Sequence, residues 1–195
     1  MAASRLTGVL RYAEGYLTAR GHEVQRIDVV MLPAEDLIRA RRDAPEIAEA
    51  NRMVEISDVV MIGSPVYQAS YTGLLKTFLD TLPQKILAGK IILPLLIGGS
   101  LAHLLAMDYA LKPVLSALGA RHILGGVYAV NSQVTKLPSG DMRLEPELAE
   151  RLDNALEELA VELGRRSGMR GTAGQGADSP EICSAVIGSL GVQIQ

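Results

Sequence analysis

Short apolar runs alternate along this chain with segments of helical periodicity, and this alternation restricts the fold more than any other feature. The runs are EVQRIDVVML at 23–32, DVVMI at 58–62, KIILPLLI at 90–97 and the stretch 122–130. The last three read as strands buried on both faces, which is the habit of parallel sheets flanked by helices. Pro94 inside the third run is unusual for such a strand, because it cannot donate to a ladder. Between the runs, residues 9–19 place Val9, Leu10, Ala13 and Leu17 on one side and end at Gly21. Short helices are expected over 34–42 and 45–56, the second with Pro45 in its first turn. A helix carrying Leu74, Leu75, Phe78, Leu79 and Leu82 on one face is stopped by Pro83. A nearly all-apolar helix spans 101–118, and a last one over 145–163 carries a stripe from Leu148 to Leu163. The fold class predicted is α/β, a three-layer sandwich around a parallel sheet.

Ligands of such sheets sit at the carboxyl ends of the strands, in the loops that lead into the next helix. Two loops here share that edge. The first, GSPVYQAS at 63–70, offers a turn at Gly63 and Pro65, an aromatic face at Tyr67, and donors at Gln68, Ser70 and the amides from Val66 onward. A flat, polar ring system would suit it, although Gly-Ser-Pro turns also occur with Tyr67 simply packed in a core. The second, Gly98-Gly99-Ser100, allows close backbone approach but is also an ordinary turn. The remaining composition excludes other classes. A chain of 195 residues suits one domain. A net charge of −3 argues against a nucleic-acid or anionic-membrane partner. The longest uncharged stretch, 91–107, falls short of the roughly 18–20 residues that span a bilayer and is interrupted by Pro94, the diglycine and His103. The single cysteine, Cys183, forms no disulfide framework, consistent with a reducing cytoplasm. The three histidines, His22, His103 and His122, lack metal-ligand spacing.

The runs SPVYQASYTGLLKTFLDTLPQ, LAGKIILPLLIGGSLAHLLAMDYALKPVLSALGA and ILGGVYAVNSQV, in this order and spacing, resemble the NADPH-dependent FMN reductases of two-component alkanesulfonate monooxygenase systems. The resemblance covers about residues 4–165. It implies a flavodoxin-like fold with strand order 2-1-3-4-5 and FMN at the carboxyl edge. It further implies NADPH-dependent reduction of FMN, which is passed to a monooxygenase that desulfonates alkanesulfonates for sulfur supply. By match to the family motifs, Pro65, Val66, Tyr67, Gln68 and Ser70 would line the isoalloxazine, and Gly98, Gly99 and Ser100 would contact it from the neighbouring loop. No protein nucleophile is required, since hydride passes between the two cofactors. His103 is a candidate nicotinamide or phosphate contact, against a structural hydrogen bond at a helix start.

The resemblance also implies homo-oligomers, dimers or tetramers, in agreement with the all-round apolar helix 101–118, which must be buried on more than one side. Pro113 cannot donate to the Tyr109 carbonyl, so a kink or π-type widening is expected nearby. Tyr109 is a candidate for reaching across a subunit interface and affecting flavin exchange, the alternative being a core tyrosine. At the front the chain departs from the family. Relatives begin with a central strand and a phosphate-gripping Gly-Ser-Pro-Arg-type loop, whose tail is matched here by Ser4 and Arg5, with Thr7 a further candidate. The first strand is thus expected to be missing, leaving a vacancy beside the strands at Val29 and Val60, either through a start codon set too far downstream or through truncation. The domain is assigned to 1–165, and the Gly-rich 166–195 is expected to be a disordered tail. Three other classes stay open: a quinone or azo reductase, a flavodoxin-type electron carrier and a non-catalytic assembly protein.

Overall fold

The computed structural model describes residues 4–171 and 183–188. Expectations for residues 1–3 and for the rest of the tail lie outside the described residues. The chain runs through α1 (Arg5–Thr18), β1 (Glu23–Asp28), α2 (Ala34–Ile38), α3 (Pro45–Ile56), β2 (Val59–Tyr67), β3 (Ser70–Tyr71), α4 (Gly73–Thr81) and β4 (Ile91–Gly98). A π-helical segment (Met107–Leu111), α5 (Lys112–Ala117), β5 (His122–Ile123), β6 (Val127–Val130), the hairpin β7 (Val134–Lys136) and β8 (Met142–Leu144), α6 (Pro146–Gly171) and β9 (Cys183–Gly188) follow. The main sheet has the order β1-β9-β2-β4-β5, with β6 continuing beside β4, and these pairings are parallel. Among the described residues of this sheet only the two-residue β3 is antiparallel, folding back on the end of β2.

The sheet has a core on each face, as three layers require. One is closed by α2, α3, α4 and the π segment with α5, through Leu37, Ile47, Val54, Leu75, Phe78, Leu79 and Leu111. The other is closed by α1 and α6, through Leu6, Leu10, Leu17, Leu148, Leu152 and Leu156. Strands β2 and β4 alternate between the two cores: Val60 and Ile62 face the first, Val59 and Met61 the second. This double burial is why their sequences read as unbroken apolar runs. Polar contacts join the helices of the second layer. Tyr12 donates to Asp153 at 2.8 Å and Tyr16 to Glu157 at 2.5 Å, one helical turn apart. Desolvation, followed by that bond to Glu157, pushes the Tyr16 hydroxyl up to about 12. Lys90, almost fully buried at the entry to β4, donates to the carbonyls of Glu55 and Ser57 at 2.6 Å, placing a cation on the carboxyl end of α3.

Several boundaries differ from the sequence expectation. The first strand ends at Asp28, and Val29–Met31 form a 3-10 turn. Strand β4 accommodates Pro94 because its outer neighbour is interrupted there: β5 pairs with Ile91 and Ile92, β6 resumes at Leu95, and Gly126 passes so close that a Cβ would lie 2.7 Å from the Pro94 carbonyl oxygen. No donor is needed from Pro94 on that side. The helix expected over 101–118 is a 3-10 turn (Leu101–His103), the π segment and α5, with the π widening immediately before Pro113.

The largest correction concerns the centre of the sheet. The place beside β1 and β2 expected to be vacant is filled by Cys183–Gly188, which pairs in parallel with both. The tail assigned outside the domain therefore enters it twice, because α6 also continues to Gly171. Composition misled here: glycines surrounding a six-residue strand hide it when the strand's partners are distant in sequence.

Candidate functional site

The carboxyl edge of β2 and β4 is built from neighbouring strand ends. Pro65 stands in register with Ile97, and a Cβ on Gly98 would lie 3.6 Å from that of Val66, so the two loops expected to bind one ligand are brought together. Beyond Val66 the chain turns sharply. Val66 pairs with Tyr71 and Tyr67 with Ser70, leaving Gln68 and Ala69 as a two-residue hairpin with φ of 49° and 61°. Positive φ at both central residues is the type I′ geometry that matches strand twist. Neither residue is Gly or Asn, so the tip is held in a region disfavoured for a side chain bearing a Cβ. The result is an exposed rim: Tyr67 is 40% exposed, and Gln68 and Ala69 are exposed beside it.

The residues that hold this hairpin are Ser64 and Thr72. Ser64, fully buried, donates its hydroxyl to the Pro65 carbonyl at 2.9 Å and accepts the Thr72 amide at 3.0 Å. Thr72 then caps α4, its hydroxyl accepting the Leu75 amide at 3.2 Å. One side chain thus closes the base of the hairpin and the next starts the helix behind it. Burial pushes the Tyr71 hydroxyl above its ordinary value.

The second loop has its own anchor. Tyr128, 2% exposed on β6, donates its hydroxyl to the Ser100 carbonyl at 2.9 Å. Burial raises its pKa, which keeps it a donor. Gly98 is buried against this tyrosine, whereas Gly99 and Ser100 are exposed and a Cβ on Gly99 would meet nothing within 4 Å. Arg151 of α6 completes the support, donating to the Tyr128 carbonyl at 2.8 Å and to Gln133 at 3.0 Å. Sequence reading missed Ser64, Thr72 and Tyr128 as supports; Tyr128 lay within an apolar run, and nothing in that run signals a contact 28 residues away.

The other candidates distribute around the edge. Ser4 is the N-cap of α1, its hydroxyl accepting the Thr7 amide at 3.2 Å, and Arg5 donates from Nε to the Val134 carbonyl at 3.1 Å. Leu10 packs where a Cβ of Gly63 would sit, and Ser4 begins six residues earlier, about 9 Å farther along the axis at 1.5 Å per residue. The start of α1 therefore stands beside the carboxyl end of β2. His103 is exposed on the turn after Ser100. Tyr109 is 78% exposed in the π segment, so it is not a core tyrosine. Among the described residues no cluster of three His, Cys, Asp or Glu could hold a metal ion, and no described helix is long and apolar enough to cross a membrane.

The edge thus combines an exposed aromatic rim at Tyr67 with a glycine, Gly99, open to close approach. The sequence and the fold are similar to those of known proteins. A family model described as NADPH-dependent FMN reductase matches residues 2–135. The chain is 46% identical over 164 residues to an FMN reductase (NADPH) of Pseudomonas putida strain KT2440, covering 84% of this chain and 83% of the relative. It is 45% identical to an FMN reductase (NADPH) of Escherichia coli K12, covering 84% of this chain and 85% of that protein. A solved structure of an NADH:FMN oxidoreductase in its apo form superimposes with a TM-score of 0.74 at 37% identity, over 83% of this chain and 84% of that one.

Proposed function

This chain belongs to the NADPH-dependent FMN reductase family, and from that premise we propose that it reduces FMN with NADPH and releases the reduced flavin to a flavin-dependent monooxygenase. The identity of 45–46% to two NADPH-dependent FMN reductases carries the reading and favours NADPH over NADH. The carboxyl edge fits the ring. Gly99 leaves open space where any other residue would place a Cβ, and the β2–β3 hairpin presents Tyr67 and backbone polar groups beside it.

Pro65, Val66, Tyr67, Gln68 and Ser70 would hold one side of the isoalloxazine, with Gly98, Gly99 and Ser100 on the other. Ser4 and Arg5, at the start of α1, suit the phosphate end, where the helix dipole and first-turn amides favour an anion. His103, on the turn beyond Ser100, is the candidate contact for the nicotinamide nucleotide. Bound FMN supplies the hydride acceptor, so the protein's task is positioning. Ser64 fixes the hairpin and Tyr128 fixes the glycine loop; Tyr67 and the hairpin tip orient the incoming ring and exclude water from its face. Following the resemblance, the partner monooxygenase acts on alkanesulfonates in sulfur assimilation, in the cytoplasm.

Initial rates of NADPH oxidation with and without added FMN test the reading directly. FMN is expected to raise the rate at least about tenfold. Equal rates in both, or faster turnover with quinone or azo acceptors than with FMN, would remove it.

The exposed apolar side chains Leu101, Leu104, Leu105 and Tyr109 follow the glycine loop and form the surface proposed for self-association. Tyr109→Ala is expected to lower the molar mass measured by light scattering toward that of the protomer and to speed FMN dissociation. No change in either quantity would refute a role for this surface in assembly.

A further inference from the structure

The strand at the centre of the sheet comes from outside the part of the chain that matches the family. The family model covers residues 2–135, whereas β9 is Cys183–Gly188. Among the described residues β1 is joined to the sheet only through β9: its six residues pair with Cys183–Gly188, whose other edge pairs with β2 from Val59 to Gly63. A parallel strand in this position uses its amides and carbonyls on both edges, and the segment CSAVIG is uncharged.

The chain can reach this position. Arg166, near the end of α6, donates to the Gly89 carbonyl and approaches His122 at 3.2 Å, so the helix ends at the amino edge of β4 and β5. Cys183 opposes Glu23, at the start of β1, on the same edge. Three strand spacings separate β5 from β9, about 14 Å at 4.8 Å each. The eleven residues 172–182 can span up to about 36 Å. At its other end Gly188 stands opposite both Asp28 and Gly63, the residue from which the proposed flavin hairpin departs and on which Leu10 of α1 packs.

We propose that the space between β1 and β2 is a strand-acceptor slot, that its occupant is this chain's own Cys183–Gly188 inserted in parallel, and that insertion assembles the flavin edge. The slot selects an extended, uncharged segment able to bond on both sides. With it in place, α1 has a continuous floor and the Gly63 turn is held from both sides. With it withdrawn, β1 has no strand to pair with and the edge loses the neighbour of β2. The link from insertion to turnover rests on the FMN reductase reading; the slot itself does not.

Amide hydrogen exchange on the full chain, read by mass spectrometry, tests the slot. Amides at 184–188 are expected to exchange at least about 100-fold more slowly than in a free peptide of the same sequence, tracking those of 59–63. Exchange at the free-peptide rate overturns the proposal. In full-length Val186→Pro, which removes a central donor, protection is expected to fall at 23–28 and persist at 91–98, with FMN-dependent NADPH oxidation down at least about tenfold. A synthetic peptide of residues 179–195 is expected to restore both. Wild-type protection at 23–28 and wild-type turnover in that variant overturn the proposal; if the variant does not fold, the wild-type exchange pattern decides. Protection at 184–188 in a wild-type chain that shows no FMN-dependent oxidation supports the slot and counts against the enzymatic reading alone.

Discussion

Gly98→Ala is expected to remove most FMN-dependent NADPH oxidation, because the added methyl group falls on the support of the glycine loop. Its Cβ would lie 2.0 Å from the Tyr128 hydroxyl oxygen and 3.0 Å from Cζ. Tyr128 has little room to withdraw, being 2% exposed and bonded to the Ser100 carbonyl. The strand end must shift instead, carrying Gly99 and Ser100 with it. Overpacking of this kind costs about 1–3 kcal/mol, and losing the tyrosine bond adds about 0.5–1.5 kcal/mol. The expected readout is a sharp rise in KM for FMN together with a lower melting temperature. Gly98→Ala with Tyr128→Phe should recover part of both, since the hydroxyl is removed while the contact at Cζ remains. Wild-type KM and melting temperature in the single variant would show that the loop does not depend on this contact.

Leu10→Ala should give the largest loss of stability tied to the site. Leu10 is fully buried on α1, and its two methyl groups fill the space left by the absent side chain of Gly63. Truncation leaves a cavity under the turn that opens the β2–β3 hairpin, with an expected cost of about 2–5 kcal/mol. For a chain of this size that corresponds to a fall in melting temperature of about 4–20 °C. Gly63→Ala alone should also destabilise, since its Cβ would lie 2.8 Å from a Leu10 methyl. In the double variant the new methyl enters the space that Leu10 vacates, so the combined loss should be smaller than the sum. Additive losses, measured by thermal or denaturant unfolding, would separate the two residues.

Much of the edge was legible before any coordinates. The loops at 63–70 and 98–100 follow apolar runs, and α/β sheets bind ligands at that position, so their convergence followed from order alone. The π widening beside Pro113 was legible for a local reason, a missing donor one turn above Tyr109. Other features were not. Gln68-Ala69 does not look like a type I′ turn, and its positive φ values are imposed by pairing of Tyr67 with Ser70 and by the Ser64–Thr72 clamp. Pro94 looked wrong for an inner strand until the break between β5 and β6 came opposite it. Tyr109 could be placed in a core or on a surface with equal ease, because an all-apolar helix does not state which side meets solvent.

The sequence by itself determined the succession of strands and helices, the two loops that meet at the carboxyl edge and, through its motifs, the flavin reductase family. Local periodicity and turn chemistry encode these, and they act over a few residues. Only the tertiary structure decided which segment stands between β1 and β2. Strand neighbours are chosen by hydrogen-bond register and burial on both faces, quantities that belong to a pair of segments and not to either one. The vacancy expected at the front of the chain is filled from its far end, because Cys183–Gly188 satisfies both edges of that slot at once.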